Sequence, residues 1–343
     1  MSSQPNNLDV AVVDIPRTIT EEVNAWLEAK YIREEVEWAL KQMEPLKAPG
    51  PNGLPSLFFQ KYWQDVGDDV SQAVLHYLDT VSFPSSLNHT FITLIPKVKS
   101  SIRVFEYRPI SLCNILYKLV SKVVTNRLKQ VLSNLISESQ SAFQSNKAIS
   151  DNILVAFETL HHMKIQKSRK MGFMALKLDM SKAYDRVEWS FLKKVMEKMG
   201  FSTKWITLIM GCISSVSYSI LINEEPKGDI RSSRGIRKGD PLSPYLFLLC
   251  SKGLNRLFQK AAREDRIRSF SLCREGPRIS HLFFVDDSLG KNYNLFQQSS
   301  FNGEKGEISN FLGIPKIREY EKNLGLPSMV GRNKRASLNY IKE

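Results

Sequence analysis

Two sets of carboxylates follow apolar runs in this chain. Asp179 comes directly after Phe173-Met-Ala-Leu-Lys-Leu178, and Asp286-Asp287 comes after the run from Ile279 to Val285. Such runs read as buried strands, so each acidic group is delivered to the end of a strand. Three carboxylates brought close repel one another and need a counter-charge. Hard divalent cations supply one. Mg²⁺ takes carboxylate oxygens, and two ions about 3.5–4 Å apart can clamp the attacking and leaving oxygens of a phosphoryl transfer. The plain alternative is a hairpin turn at Asp286-Asp287 and a helix cap at Asp179, because Asp is a common turn residue.

The rest of the chain is basic, with 48 Lys and Arg against 35 Asp and Glu, a net charge of +13. An excess of that size favours a polyanionic partner, of which nucleic acid is the commonest. The four cysteines, Cys113, Cys212, Cys250 and Cys273, contain no C-x-x-C pair. That argues against a zinc site of ordinary spacing and against a disulfide framework, and so for a reducing compartment. No charged-then-apolar leader opens the sequence, and no apolar run reaches membrane-spanning length. The expectation is a soluble intracellular protein with no membrane partner, nuclear or cytoplasmic.

The elements that must position the carboxylates read as alternating helices and strands. Residues 1–30 are expected to be a disordered lead-in and linker, in which Thr18 and Glu21 have capping-box spacing. A helical stripe follows at Ile32, Val36, Ala39, Leu40 and Met43, and Pro45 stops it. Lys47-Ala-Pro-Gly-Pro-Asn-Gly53 is a rigid turn. Helical pattern resumes from Leu57 to Val81, and Phe91 to Pro96 reads as a strand. Leu116 to Leu135 is an amphipathic helix from which Lys118, Lys122 and Lys129 project away from the apolar side. Another helix runs from Asp151 to about Lys167. Asp185 and Glu188 have the spacing to cap a helix that Gly200 ends. A strand is expected over 216–223, then a Gly/Arg-rich loop over 228–240. Ser243 and Pro244 take N-cap and N1 of a helix through Ala262. Beyond Gly290 the pattern becomes polar and weakly periodic.

Several motifs fall in a fixed order along this framework. They are Lys47 to Gly53, Leu94-Ile-Pro-Lys97 with Arg108-Pro-Ile-Ser-Leu112, Gln140-Ser-Ala-Phe143 and Ile149-Ser-Asp-Asn152. Leu178-Asp-Met-Ser-Lys-Ala-Tyr-Asp185, Arg234-Gly-Ile-Arg-Lys-Gly-Asp-Pro-Leu-Ser-Pro244 and Phe284-Val-Asp-Asp287 follow. One Asp-Asp pair is weak evidence, whereas an ordered series is strong. In this series the chain resembles the reverse transcriptase domain of plant LINE-type (non-LTR) retrotransposons.

That resemblance implies an α+β right-hand polymerase occupying residues 31–343, best matched over about 90–290. Fingers and an antiparallel palm sheet backed by helices would be present. It implies an RNA-directed DNA polymerase working on an RNA template, a DNA primer and deoxynucleoside triphosphates. Asp179, Asp286 and Asp287 would hold two Mg²⁺ (or Mn²⁺), and the primer 3′-hydroxyl would attack the α-phosphate of the incoming nucleotide. Tyr184 matches the aromatic beneath the sugar, whose ring would clash with a ribose 2′-hydroxyl. Arg108, with Lys97 behind it, matches the fingers cation that holds the triphosphate. The backbone about Gly239 and Ser243 would lie against the nascent base pair or template. Lys305 resembles the lysine that protonates departing pyrophosphate. The family also implies a nuclear location.

The sequence departs from that family in places. Asn52 replaces an Asp, Gln144-Ser-Asn-Lys147 replaces a Val-Pro-Gly-Arg-like turn, Lys238 stands where the family has Gln, and Val285 replaces Ala. Lys238 borders the expected nucleotide pocket, so its added charge would act on nucleotide affinity or fidelity. Only 287–301 remains between the Asp-Asp box and the segment of Lys305, where a strand, a helix and a further strand are expected. A helical crossover alone needs about a dozen residues. The palm is therefore expected to be partly truncated and the thumb incomplete, with 291–343 a degraded palm–thumb junction. The competing reading is a catalytically inactive, nucleic-acid-binding remnant of a retroelement.

Overall fold

A computed structural model describes residues 9, 12–82, 84, 86–132, 135, 154–155, 157–159, 161–162, 173–177, 182–267, 270–271, 278–279 and 294–298. The chain divides into two compact units, one of residues 1–136 with 184–257 and one of 137–183 with 258–343. Among the described residues no helix is long and apolar enough to cross a membrane.

The first unit is built around one helix. Before it in the chain come α1 (Glu21–Leu27), α2 (Arg33–Lys41), α3 (Ser56–Lys61) and α4 (Trp63–Thr80). The continuous helical pattern expected from Leu57 to Val81 is thus two helices that meet at Tyr62, whose ψ of 26° breaks the first. Next come strands β1 (His89–Pro96) and β2 (Tyr107–Cys113), and then the central helix α5 (Ile115–Leu132). Twelve of its residues are buried, among them Ile115, Leu119, Val123, Val124 and Leu128, so it is covered on most sides rather than along one stripe.

The segment before residue 31 was expected as a lead-in, yet part of it packs into this unit. Val12, Ile15, Ile19 and Leu27 are buried. The cap of α1 is Thr20, whose hydroxyl accepts from the Val23 amide at 3.3 Å, and not the Thr18 that the spacing suggested. Thr18 and Ile19 instead give their amides to the Met199 carbonyl, at 3.0 and 2.9 Å. Asn24 donates to the Gly200 carbonyl at 2.8 Å and accepts from the Ser202 amide at 3.0 Å. Arg127 of α5 fixes the exit of α1. It is 5% exposed, forks onto both Glu35 carboxylate oxygens at 2.8 Å, and donates to the carbonyls of Leu27, Ala29 and Lys30. Its guanidinium also lies 3.6 Å from the centre of the Tyr31 ring. A buried guanidinium is tolerated only with this degree of satisfaction.

After a single turn of 3₁₀ helix at Tyr184–Arg186, the unit adds α6 (Trp189–Met199) and α7 (Thr203–Ser214). Asp185 sits in that 3₁₀ turn, so it is not the N-cap of α6; Glu188 holds that position, without a side-chain cap bond. Gly200 ends α6 as expected. Strands β4 (Ser217–Ile222) and β5 (Glu225–Arg231) complete a four-stranded sheet in the order β2-β1-β4-β5. It is mixed: β1 pairs antiparallel with β2 and parallel with β4, and β4 pairs antiparallel with β5. The beginning of the expected 228–240 loop is therefore strand. Glu225-Pro-Lys-Gly-Asp-Ile-Arg231 is exposed throughout and reads as loop by composition, but it forms an edge strand. Asn223 and Glu224 both have positive φ, at 51° and 68°, which makes a tight two-residue hairpin. Helix α8 (Ser243–Arg263) starts in this unit.

In the second unit the described residues between 154 and 162 are helical, within the helix expected after Asp151. Strand β3 (Phe173–Lys177) lies where the sequence puts it. The short strands β6 (Phe270–Ser271) and β7 (Arg278–Ile279) pair antiparallel. Strand β8 (Asn294–Gln298) pairs antiparallel with β3, Lys177 opposite Asn294 and Phe173 opposite Gln298. Extended structure thus falls within the stretch beyond Gly290 that reads as polar and weakly periodic.

Candidate active site

The described part of the site is a turn and a loop laced together by backbone bonds. The turn is Tyr184 to Trp189; the loop is Arg234 to Asp240. Gly235 gives its amide to the Val187 carbonyl at 2.7 Å, and Ile236 gives its amide to the Tyr184 carbonyl at 2.9 Å. The Trp189 indole donates to the Gly235 carbonyl at 2.7 Å, and Arg234 pairs with Glu188 at 3.1 Å. Tyr184 is 8% exposed, and its ring stacks flat on Phe247 of α8 with centroids 5.3 Å apart. The chain that leaves the Asp179 segment is in this way fixed against the chain that enters α8.

Beneath the loop lies a buried polar cluster. Asp240, 4% exposed, accepts from the Tyr117 hydroxyl at 2.6 Å, from the Ser121 hydroxyl and from the Leu242 amide at 2.9 Å. Arg237, 6% exposed, donates to Asn88 Oδ1 at 2.6 Å and lies 4.2 Å from the centre of the Tyr117 ring. Asn88 in turn donates to the Cys212 carbonyl and to Ser215. Burial pushes the Tyr117 phenol well above its ordinary value, with the Asp240 carboxylate adding to the shift, so the hydroxyl stays a donor. Helix α5, helix α7 and β1's approach segment thereby anchor both ends of a short span, Lys238-Gly239. Lys238 is half-buried, and Gly239 is exposed with φ of 87°, a left-handed backbone that a side chain would strain. A Cβ at Gly239 would lie 4.0 Å from the Ser111 carbonyl of β2, so the span faces that strand.

Arg108 stands on β2, exposed and paired across the ladder with Ile95. Lys97 falls two residues beyond Ile95 and so projects to the same side. Its ammonium donates to the Phe105 carbonyl at 2.9 Å, and its amide donates to the Glu106 carbonyl at 2.8 Å. Lys97 thus closes the hairpin, while Arg108 has its guanidinium turned to solvent.

The sequence-expected residues divide accordingly. The structure ties the Tyr184 turn to the loop that carries Lys238 and Gly239, through the Gly235 and Ile236 amides, and puts Arg108 on the strand faced by Gly239. Ser243 is 2% exposed at the start of α8. Asp179, Asp286, Asp287 and Lys305 lie outside the described residues. Among the described residues no group of three His, Cys, Asp or Glu side chains could hold a metal ion. Arg237 and Asp240 were missed as site-forming residues. Two charges separated by Lys-Gly in a polar loop look solvated, and only their burial reveals them.

Residues 95–290 match the family model "Reverse transcriptase (RNA-dependent DNA polymerase)", more than half of the chain. The chain belongs to the reverse transcriptase family. This reverse transcriptase domain is 29% identical over 264 residues to the transposon TX1 uncharacterized 149 kDa protein of Xenopus laevis, covering 77% of the chain and 20% of that protein. It is 26% identical over 239 residues to the retrovirus-related Pol polyprotein from the type-1 retrotransposable element R2 of Popillia japonica, 64% of the chain and 30% of the polyprotein. Over 68 residues it is 46% identical to an uncharacterized mitochondrial protein of Arabidopsis thaliana, 20% of the chain and 56% of that protein. The likeness is to reverse transcriptase domains of non-LTR retrotransposons. The chain spans between a fifth and a third of the transposon and polyprotein relatives.

Proposed function

We propose that this reverse transcriptase domain extends a DNA primer on an RNA template, adding deoxynucleotides by two-metal-ion phosphoryl transfer, and that it comes from a LINE-type element of a plant. The observation that carries the reading is the lacing of the Tyr184 turn to the Arg234–Asp240 loop. It ties the Tyr184 turn, which follows the Asp179 segment in the chain, to the loop that carries Lys238 and the exposed Gly239. The match to the Arabidopsis protein supports the plant origin. In this reading β1, β2, β4 and β5 are fingers, and β3 with the Asp-Asp segment is palm.

Asp179, Asp286 and Asp287 offer three hard oxygen donors, the set that Mg²⁺ takes. When bound, the pair of ions would neutralise phosphate charge and make the primer hydroxyl a better nucleophile at neutral pH. The β3–β8 ladder supports this assignment. Its Lys177–Asn294 end is the end from which the chain runs forward to Asp179 and backward to Asp287. Arg108 would fork onto the triphosphate, and Tyr184 would lie under the sugar. Lys238 would add a charge beside the incoming nucleotide.

Primer extension on poly(rA)/oligo(dT) with Mg²⁺ tests the reading. Unmutated protein should add deoxythymidylate, and Asp286→Asn should abolish addition while leaving salt-sensitive template binding in place. Equal extension by that variant would overturn the carboxylate assignment.

A further inference from the structure

Helix α5 is buried on most sides, and one line along it carries lysines. Lys118 and Lys122 lie four residues apart, one above the other with an axial separation of about 6 Å. Asn126 and the exposed Lys129 continue the line. The Lys47–Gly53 turn is clamped at its head. Gly50 presses so closely on α5's entry that a Cβ there would run into the backbone of Cys113 and Asn114. The Asn52 amide donates to Asn114 Oδ1 at 3.1 Å, and Asn114 Nδ2 donates to the carbonyls of Ser86 and Leu87. Asn114 lies one helical turn before Lys118, whose amide it receives at 3.0 Å. Lys47, three residues before Gly50, acts electrostatically on both Lys118 and Lys122 and so stands near the line.

None of Lys47, Lys118 and Lys122 makes an ion pair or side-chain hydrogen bond among the described residues. Lys118 is 8% exposed as a whole, its stem packed away, yet its ammonium is not among the buried nitrogens that lack a partner and so reaches the surface. The carboxylate that acts on Lys118, Asp240, is already engaged by Tyr117, Ser121 and Leu242. Burial lowers the pKa of Lys118, and Lys47 and Arg237 lower it further; Lys122 is lowered by burial and by Lys129 and Lys47. Like charges gathered beside a desolvated one mark a place for an anion with several charges in a row.

We propose that Lys47, Lys118 and Lys122 form a track that takes successive backbone phosphates of a single-stranded RNA. One lysine per turn along one helix follows one strand, whereas a duplex would call for cations on two diverging lines. That the strand is the template rests on the polymerase reading above; the phosphate track itself does not.

The test is fluorescence anisotropy of a labelled thirty-nucleotide oligo(rA) with the full chain, between 50 and 200 mM KCl. Three phosphate contacts to a single strand give a salt slope of about 2, so Lys47→Gln/Lys118→Gln/Lys122→Gln should lose about 20-fold less affinity across that range than the unmutated protein. Lys47→Arg/Lys122→Arg should keep the original slope. Lys118→Met alone should weaken RNA binding and lower the salt slope by about 0.7, the share of one phosphate contact to a single strand. An unchanged slope in the triple Gln variant would overturn the track and leave the polymerase reading standing. Equal competition by deoxythymidine triphosphate at the same phosphate concentration would assign the cluster to nucleotide rather than RNA and overturn it too. RNA binding that depends on the three lysines, without primer extension, would support the track and count against the polymerase.

Discussion

Asp240 is the residue whose loss should be felt most widely. Replacing it with Ala removes an acceptor from the Tyr117 hydroxyl, the Ser121 hydroxyl and the Leu242 amide together, leaving Tyr117 the longer bond to the Cys212 carbonyl at 3.3 Å and Leu242 the one to Ser121 Oγ at 3.2 Å. Each buried donor left without a partner costs about 1–3 kcal/mol. Arg237, whose Nε and Nη1 already lack partners, would also lose its nearby negative charge, a change of the kind that costs about 3–5 kcal/mol. These terms share atoms and do not add. We expect Asp240→Ala to destabilise the chain by about 3–5 kcal/mol and to lower its thermal midpoint by on the order of 10 °C. Asp240→Asn keeps the shape and one acceptor oxygen, so its cost should fall between zero and that of the Ala variant. Tyr117→Phe removes only the hydroxyl and should cost about 1–2 kcal/mol. Urea denaturation of the two single variants and the double variant gives their coupling, expected at about 0.5–3 kcal/mol. If Asp240→Ala unfolds within 1 kcal/mol of the unmutated protein, or the coupling is nil, the cluster does not anchor the loop and the argument fails.

Arg127→Lys should cost about 3–5 kcal/mol in the same denaturation assay, because an ammonium cannot reach Glu35 in a fork and three backbone carbonyls at once; a loss under 1 kcal/mol would refute the staple. Cys212 is buried at 0% exposure and its thiol is pushed up to about 12, with Tyr77 and Tyr117 also raised by burial. In the unfolded chain these groups ionise first, so stability should hold below pH 8 and fall as pH climbs from about 8.5 toward the folded values. Lys118, lowered by burial, works in the opposite sense and softens that fall. Urea midpoints from pH 7 to 10.5 measure this, and alkylation of Cys212 at pH 8, read by mass spectrometry, should wait on unfolding.

Much of the framework was legible because periodicity and punctuation agree. The apolar side of α5, the strand at 173–177 and the glycine stop of α6 follow from spacing alone. Motif order led to the family, since it survives loss of local pattern. Other features were hidden for identifiable reasons. β5 is polar, exposed and carries Pro and Gly, and its turn is Asn-Glu where Asn-Gly would have announced a hairpin. The cap of α1 shifted from Thr18 to Thr20 because both are capping residues and the Thr18 amide is taken by Met199. Arg237 and Asp240 could not be told from a solvated loop, since burial of charge depends on partners distant in sequence. Lys118 misled in the same way: it reads as a surface lysine on a polar face, and packing covers its stem.

Arg127 grips the exit of α1 through the carbonyls of Leu27, Ala29 and Lys30. Recognition by main-chain oxygens constrains where a segment runs while leaving open which side chains it carries. Ala29 and Lys30 are exposed, so those positions are free to drift as the element diverges, whereas inserting or deleting a single residue there would take the carbonyls out of reach. Relatives should therefore vary in letters across this stretch and hold its length constant.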